Sequence, residues 1–182
     1  MFTTFSYFQI ELNNKLYAMK KGYLIFFAFT LLCTRDVSAQ IRQQEQSMWC
    51  WASCIQSALV QANVQVSQAQ IVARLTGWPQ NRPARIEEVI AVLQSYNFRA
   101  WSVNYPASPE DLYGTLASGW KLIAFVNPSN NPQVGHFIML QGISPNNYVV
   151  ISDPANGMTY EQDVRDLYYA WNWSSSIVVG TP

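Results

Sequence analysis

The apolar residues of this chain change their period partway along, and that change constrains the fold more than any other feature. In the first stretch they recur every three or four positions. Ile55, Ala58, Leu59 and Ala62 predict a helix from near Cys50 to about Asn63. Ser67 is placed to cap a second helix, with Ala69, Val72 and Leu75 apolar and Gly77 ending it. A third helix is expected from about Pro83 to Ser95, because Pro83 suits a first turn and Ile86, Val89, Ile90 and Leu93 share one face. Ser108-Pro109-Glu110-Asp111 has the Ser-x-x-acid form of a capping box and opens a fourth, stopped near Gly119. Beyond it the apolar runs become short, β-branched or aromatic, and are separated by turn residues. Leu122–Asn127, His136–Ile143, Tyr148–Asp153 and Ser176–Gly180 read as strands. Val164–Trp173 reads as either a short helix or an irregular aromatic segment. Helices first and strands afterwards imply an α+β fold rather than alternating β-α units. The two halves are expected to share one core, with a groove where they meet.

The N-terminus obeys a different logic. Met19-Lys20-Lys21-Gly22 is a short basic run, residues 23–33 are apolar, and Val37-Ser38-Ala39 supplies small residues before Gln40. This is the pattern of a secretory signal peptide, and the apolar run is short for a membrane span. Residues 1–39 are therefore read as an N-terminal extension plus signal peptide, with Met1 or Met19 as the start, and residues 40–182 as one domain. The expected location is secreted or periplasmic, with cleavage near Ala39–Gln40 and no membrane association afterwards. Cleavage would leave seven basic side chains against nine acidic ones, so there is no basic field for nucleic acid. A monomer is expected.

Cleavage also leaves only Cys50 and Cys54. They stand four apart on an expected helix, where a bridge would be strained. Free thiols are unusual in an oxidising compartment, which suggests that one is kept for chemistry. Cys50 lies in Met48-Trp49-Cys50-Trp51-Ala52-Ser53, at the expected helix start. A helix N-terminus and a nearby imidazolium both favour the thiolate form of a cysteine. The imidazole has one source, because His136 is the sole histidine of the chain. It follows Gly135, which permits close backbone approach, and opens an expected strand. An imidazole in this role needs a third group to orient it. Asp153, at the end of the next strand, can supply one, although Asp-Pro is also an ordinary turn opener. Acyl transfer further needs donors aimed at a developing oxyanion. The Cys50 N–H and the side-chain amide of Gln44, six residues upstream, are candidates. Trp51 is expected to pack in the core and Trp49 to line a substrate groove. Cys54 reads as a small buried hydrophobe. Two cysteines and one histidine without paired spacing offer no zinc site, so no metal or cofactor is expected.

Taken together, Gln44, Cys50-Trp51-Ala52-Ser53, Gly135-His136 and Asp153 resemble the papain-like cysteine peptidases in chain order. The Trp49-Cys50-Trp51-Ala52 core is most similar to the compact bacterial branch that includes secreted avirulence effector peptidases. The Cys-Gly-Ser-Cys form of the plant and lysosomal enzymes is absent, and Asp153 stands where those enzymes carry Asn. The resemblance covers about residues 40–180. It implies a papain-like fold, with an N-terminal helical half carrying the cysteine and a C-terminal antiparallel sheet carrying the histidine and aspartate. It also implies roles: Cys50 the nucleophile, His136 the base, Asp153 the orienting acid and Gln44 the oxyanion donor, with Trp49 and Gly135 beside the substrate. The implied partner is a peptide or protein substrate, cut at peptide or isopeptide bonds. A deamidase or other thiol acyl-transfer enzyme on the same triad remains an alternative, as does a non-catalytic scaffold that binds peptides.

Overall fold

The computed structural model describes residues 41–103, 108–129, 131 and 135–180, and the expected signal peptide lies outside them. Residues Ala39–Pro182 form one compact unit. Its elements run α1 (Cys50–Gln61), α2 (Gln68–Thr76), α3 (Ile86–Ser95), β1 (Ala100–Val103), α4 (Pro109–Ala117), β2 (Lys121–Val126), β3 (His136–Ile143), β4 (Val149–Asp153), β5 (Met158–Gln162), α5 (Val164–Tyr169) and β6 (Ser175–Val179). The fold is α+β, as the sequence implies.

The helix ends follow from local chemistry. Ser67 caps α2 by accepting the Gln70 N–H, and the Gln70 carboxamide accepts the Ser67 N–H in return. Gly77 closes α2 with φ 82°, a conformation that costs glycine little. Ser108 accepts the Asp111 N–H to open α4, with Pro109 in the first turn. Helix α3 starts at Ile86, later than Pro83. The Glu88 carboxylate takes the Arg85 N–H at 2.8 Å and pairs with Arg82, which fixes the start three residues on.

The six strands form one sheet in the order β1-β6-β2-β3-β4-β5, with every neighbouring pair antiparallel. Strands β2, β3 and β6 are apolar on both faces, so each face of the sheet carries a core. One face packs Ile123, Phe137, Met139, Ile177 and Val179 against α1, α2 and α3. The other packs Leu122, Ala124, Ile138, Leu140 and Val178 against Leu112 and Leu116 of α4 and Leu167 of α5. The helical half and the sheet thus share a core on one face only. The second core exists because period-2 alternation in β2 and β3 places an apolar side chain on both sides.

Helix α1 is the centre of the first core. Cys50 through Leu59 are all buried, and the helix lies on β3 and against α2 and α3. A helix buried all round holds its first residue in a fixed place relative to the start of β3.

Candidate active site

Cys50 is the first residue of α1 and is 9 % exposed. The first N–H groups of a helix lack partners within it, so they and the helix dipole favour negative charge at this end. His136 is the first residue of β3, and Asp153 is the last of β4. The pairing of Met139 with Ser152 brings those two strand ends side by side. His136 Nε2 and Asp153 Oδ1 are 2.7 Å apart. An ionised carboxylate can only accept, so Nε2 carries the hydrogen and donates it. The other ring nitrogen, Nδ1, is left to the thiol of Cys50, with which His136 also hydrogen-bonds. The Ala155 N–H donates to the same Asp153 oxygen at 2.9 Å and fixes the carboxylate.

The electrostatics follow from these contacts. Burial alone would favour a neutral imidazole. The hydrogen bond donated to Asp153, then the hydrogen bond and charge of Cys50, outweigh it and raise His136 to about 9. Burial likewise pushes Asp153 upward, yet its bonds to His136 and Ala155 hold the carboxyl below its ordinary value. A value of about 9 favours the imidazolium form of the ring near neutral pH, with Asp153 on one side and Cys50 on the other. Cys54 differs in kind. Burial, then the charges of Cys50 and Asp153, push its thiol well above the ordinary range. Its Sγ points at Phe137 O, 3.6 Å away, as a buried neutral group.

The two tryptophans around Cys50 both reach the segment before α3. Trp49 Nε1 donates to Gln80 O at 2.8 Å, and Trp51 Nε1 donates to Arg82 O at 3.2 Å. Asn81 reinforces the attachment, accepting the Met48 N–H and donating to Ser47 Oγ. This segment then forms a wall of a cavity of about 240 Å³ beside the thiol, lined by Cys50, Trp51, Pro83, Ala84, Phe125, Gly135 and Phe137. Trp51 borders that cavity, whereas Trp49 is 5 % exposed and buried behind the loop it holds. Gly135 borders the cavity too. A Cβ there would come within 2.0 Å of Phe125 Cζ, so the Phe125 ring occupies the space that glycine leaves. A larger cavity of about 550 Å³ lies between β1, β6 and α4, with Trp101 and Trp120 in its lining, and includes none of Cys50, His136 or Asp153.

Gln44 lies in the turn that leads into α1, and its backbone N–H donates to Pro154 O at 2.9 Å. Its Nε2 donates to Gln46 O and Ser47 O at 3.0 and 2.8 Å. Its Oε1 is buried and has no hydrogen-bond partner. A flipped amide would set that oxygen against two carbonyls, so hydrogen-bond accounting favours the orientation described.

The geometry also brings forward residues that the sequence does not single out. Pro83, Ala84, Phe125 and Phe137 line the cavity, and no motif marks them. The aromatic residues at positions 125 and 137 are the only hint, and they read equally well as core.

A family model described as papain-like cysteine protease AvrRpt2 matches residues 32–170. No curated protein matches the chain. Among solved structures, the peptidase domain of Streptococcus ComA, a bifunctional ABC transporter involved in quorum sensing, is similar with a TM-score of 0.63. The match covers 79 % of this chain and 99 % of that one at 14 % identity. A double glycine motif protease from an AMS/PCAT transporter, solved with its leader peptide, is similar with a TM-score of 0.57. It covers 78 % and 91 % of the two chains at 20 % identity. At these identities the structural likeness is one of fold.

Proposed function

The chain belongs to the family described as papain-like cysteine protease AvrRpt2, a family of cysteine peptidases, and from that premise we propose that it cuts peptide bonds through Cys50, His136 and Asp153. One observation carries the assignment. The His136–Asp153 bond of 2.7 Å leaves the second ring nitrogen to a thiol at a helix start.

The Cys50 thiolate attacks the scissile carbonyl carbon. As the S–C bond forms, the carbonyl electron pair moves onto oxygen. The Cys50 N–H and the Gln44 amide stabilise that oxyanion. Gln44 makes the contact by exchanging one turn carbonyl for the charged oxygen, since a charge-assisted hydrogen bond is the stronger of the two. The carbonyl re-forms as the C–N bond breaks, and the His136 imidazolium gives its proton to the leaving amine. Water then attacks the thioester, His136 takes its proton, and the thiolate leaves. Asp153 holds the ring in place and favours its charged form throughout. The 240 Å³ cavity accepts an apolar side chain of the peptide beside the cleaved bond. The active unit is the single domain of residues 40–182, freed from an exported precursor by cleavage between Ala39 and Gln40.

The test is digestion of a proteome-derived peptide library by the wild type and by Cys50→Ala, with the new termini read by mass spectrometry. New termini from the wild type alone support the proposal. Release of ammonia from glutamine side chains without new termini would replace it with the deamidase reading.

A further inference from the structure

Gln68, the first residue of α2, is fully buried, although nothing in its position predicts that. Its carboxamide spans Gln44. The Gln68 Oε1 accepts the Glu45 N–H at 2.9 Å, and its Nε2 donates to Gln43 O at 2.9 Å. A neighbouring strand would make the same two bonds to the residues either side of Gln44. The second Nε2 hydrogen goes to Gln56 Oε1 at 3.2 Å, and Gln56 Nε2 donates in turn to Val66 O at 2.8 Å. The Val66 carbonyl can only accept, so it fixes the orientation of the Gln56 amide, which fixes that of Gln68. A flipped Gln68 would face two acceptors.

The same short segment is held from the other side. Gln44 N–H donates to Pro154 O, one residue beyond Asp153, and Gln43 Nε2 donates to Ala155 O. Gly157 allows this approach, since a Cβ there would come within 3.0 Å of Gln43 N. Ser53 Oγ on α1, three residues after Cys50, donates to Arg42 O. The backbone of residues 42–45 is thus referenced to the helix that carries the thiol and to the turn that follows the orienting acid. Gln68 supplies the bonds that lie on both sides of Gln44.

We propose that Gln68 is a positioning residue for catalysis, whose buried amide sets the backbone of residues 43–45 and thereby aims the Gln44 amide at the oxyanion. The proposal rests on the reading of Gln44 given above and extends it by one residue that touches neither substrate nor thiol. A buried amide left without partners is costly, so a role in stability alone would show as a uniform loss. A role through Gln44 has a narrower signature, because alkylation of a thiolate by iodoacetamide forms no oxyanion, whereas acyl transfer does.

The experiment compares Gln68→Met, Gln44→Ala and the double variant, using the best-cleaved peptide of the library and iodoacetamide as separate probes. Gln68→Met should lower kcat by about 100-fold, as a misplaced catalytic group does, with KM within about 3-fold of wild type. The rate of Cys50 alkylation should stay within about 2-fold of wild type, because the reaction needs only the thiolate. The double variant should be no slower than Gln44→Ala, since groups acting as one unit are not additive. Wild-type kcat in folded Gln68→Met overturns the proposal, as does a double variant whose losses multiply or an alkylation rate that falls in step with kcat. Wild-type kcat in Gln44→Ala instead refutes the role of Gln44 itself. If Gln68→Met does not fold, Gln56→Met keeps the Gln68 amide and removes the partner that orients it, along with the donor to Val66 O. It should lower kcat in the same selective way, and unchanged kcat there would equally refute the proposal.

Discussion

Replacing Asp153 with Asn should move the alkaline limit of activity rather than abolish activity. In the mechanism proposed above, attack by Cys50 depends on a protonated His136, so rate is lost when His136 gives up its proton. In the wild type that occurs at about 9, against an ordinary histidine value of 6.5. The difference corresponds to roughly 3 kcal/mol favouring the charged ring, at about 1.36 kcal/mol per unit. His136 is only 16 % exposed, so solvent screens little of it. The hydrogen bond that His136 donates to Asp153 is the foremost of the contacts that raise it, ahead of those with Cys50. Asn keeps a carbonyl oxygen to accept the Nε2 hydrogen and the Ala155 N–H, but it carries no charge. The ring therefore stays in place while burial, which favours the neutral form, gains weight. The alkaline limb of kcat/KM should fall from about 9 toward 6.5, so that the variant approaches the wild type in mildly acid buffer and is far slower at pH 8. Asp153→Ala loses the acceptor as well and should be slower than Asp153→Asn at every pH. Both should retain more activity than Cys50→Ala or His136→Ala. The assay is kcat/KM on one peptide from pH 5 to 10, with thermal melts to establish folding. An alkaline limb in Asp153→Asn that coincides with the wild type would refute the reasoning, because the charge of Asp153 would then contribute nothing to the imidazolium.

Stability should follow the same proton. Because the folded value of His136 lies above its ordinary 6.5, its contribution is complete below that pH and disappears as pH rises through about 9. The depressed value of Asp153 contributes above its ordinary 3.8 and is lost on acidification. The Tm advantage of the wild type over His136→Ala should thus be greatest between roughly pH 4 and 6.5 and shrink by pH 10, and a pH-independent gap would contradict the ion pair. Iodoacetamide at neutral pH should label Cys50 and spare Cys54 until the protein is unfolded, since the Cys54 thiol is buried and held protonated. Peptide mapping that finds Cys54 labelled first would reverse the assignment. Gly135→Ala must displace the Phe125 ring, at a cost of about 1–3 kcal/mol in a melt, and should also slow catalysis by disturbing the residue before His136. Wild-type Tm and kcat/KM in that variant would show that the ring moves aside freely.

Elements that pack on both sides or carry explicit caps were legible in the sequence. Strand β3 has the bounds His136–Ile143 expected from its apolar run, and α2 lies between Ser67 and Gly77. The sheet edges were not legible. Strand β1 buries only Ala100, and no residue of β5 is fully buried, so neither shows the alternation that marks a strand. The expectation of a single shared core failed for a related reason. An apolar run such as Leu122–Val126 does not reveal that its alternate residues face different helices. Among the candidate site residues, Cys50, His136 and Asp153 could be proposed because their side chains have distinctive chemistry and occur in a recognisable order. Gln68 could not, since a glutamine in the first turn of a helix is ordinarily solvated, and only the fold shows it enclosed around the turn at Gln44.

The flanking tryptophans show how one short motif serves several layers of the structure. A cysteine at a helix start needs a cleft in front of it, and a cleft needs a second wall. The indole N–H groups of Trp49 and Trp51 hold two alternate carbonyls of that wall, Gln80 O and Arg82 O, while the rings pack into the core behind. Each indole thereby satisfies its one donor and fixes a loop that has no sheet pairing of its own. The spacing explains the pattern: residues one before and one after Cys50 reach carbonyls two apart, so the loop runs past the thiol and delivers Pro83 and Ala84 to the cavity. A smaller aromatic at either position would retain the packing and lose the anchor. The sequence Trp49-Cys50-Trp51 therefore encodes the proposed nucleophile and the attachment of its opposite wall together.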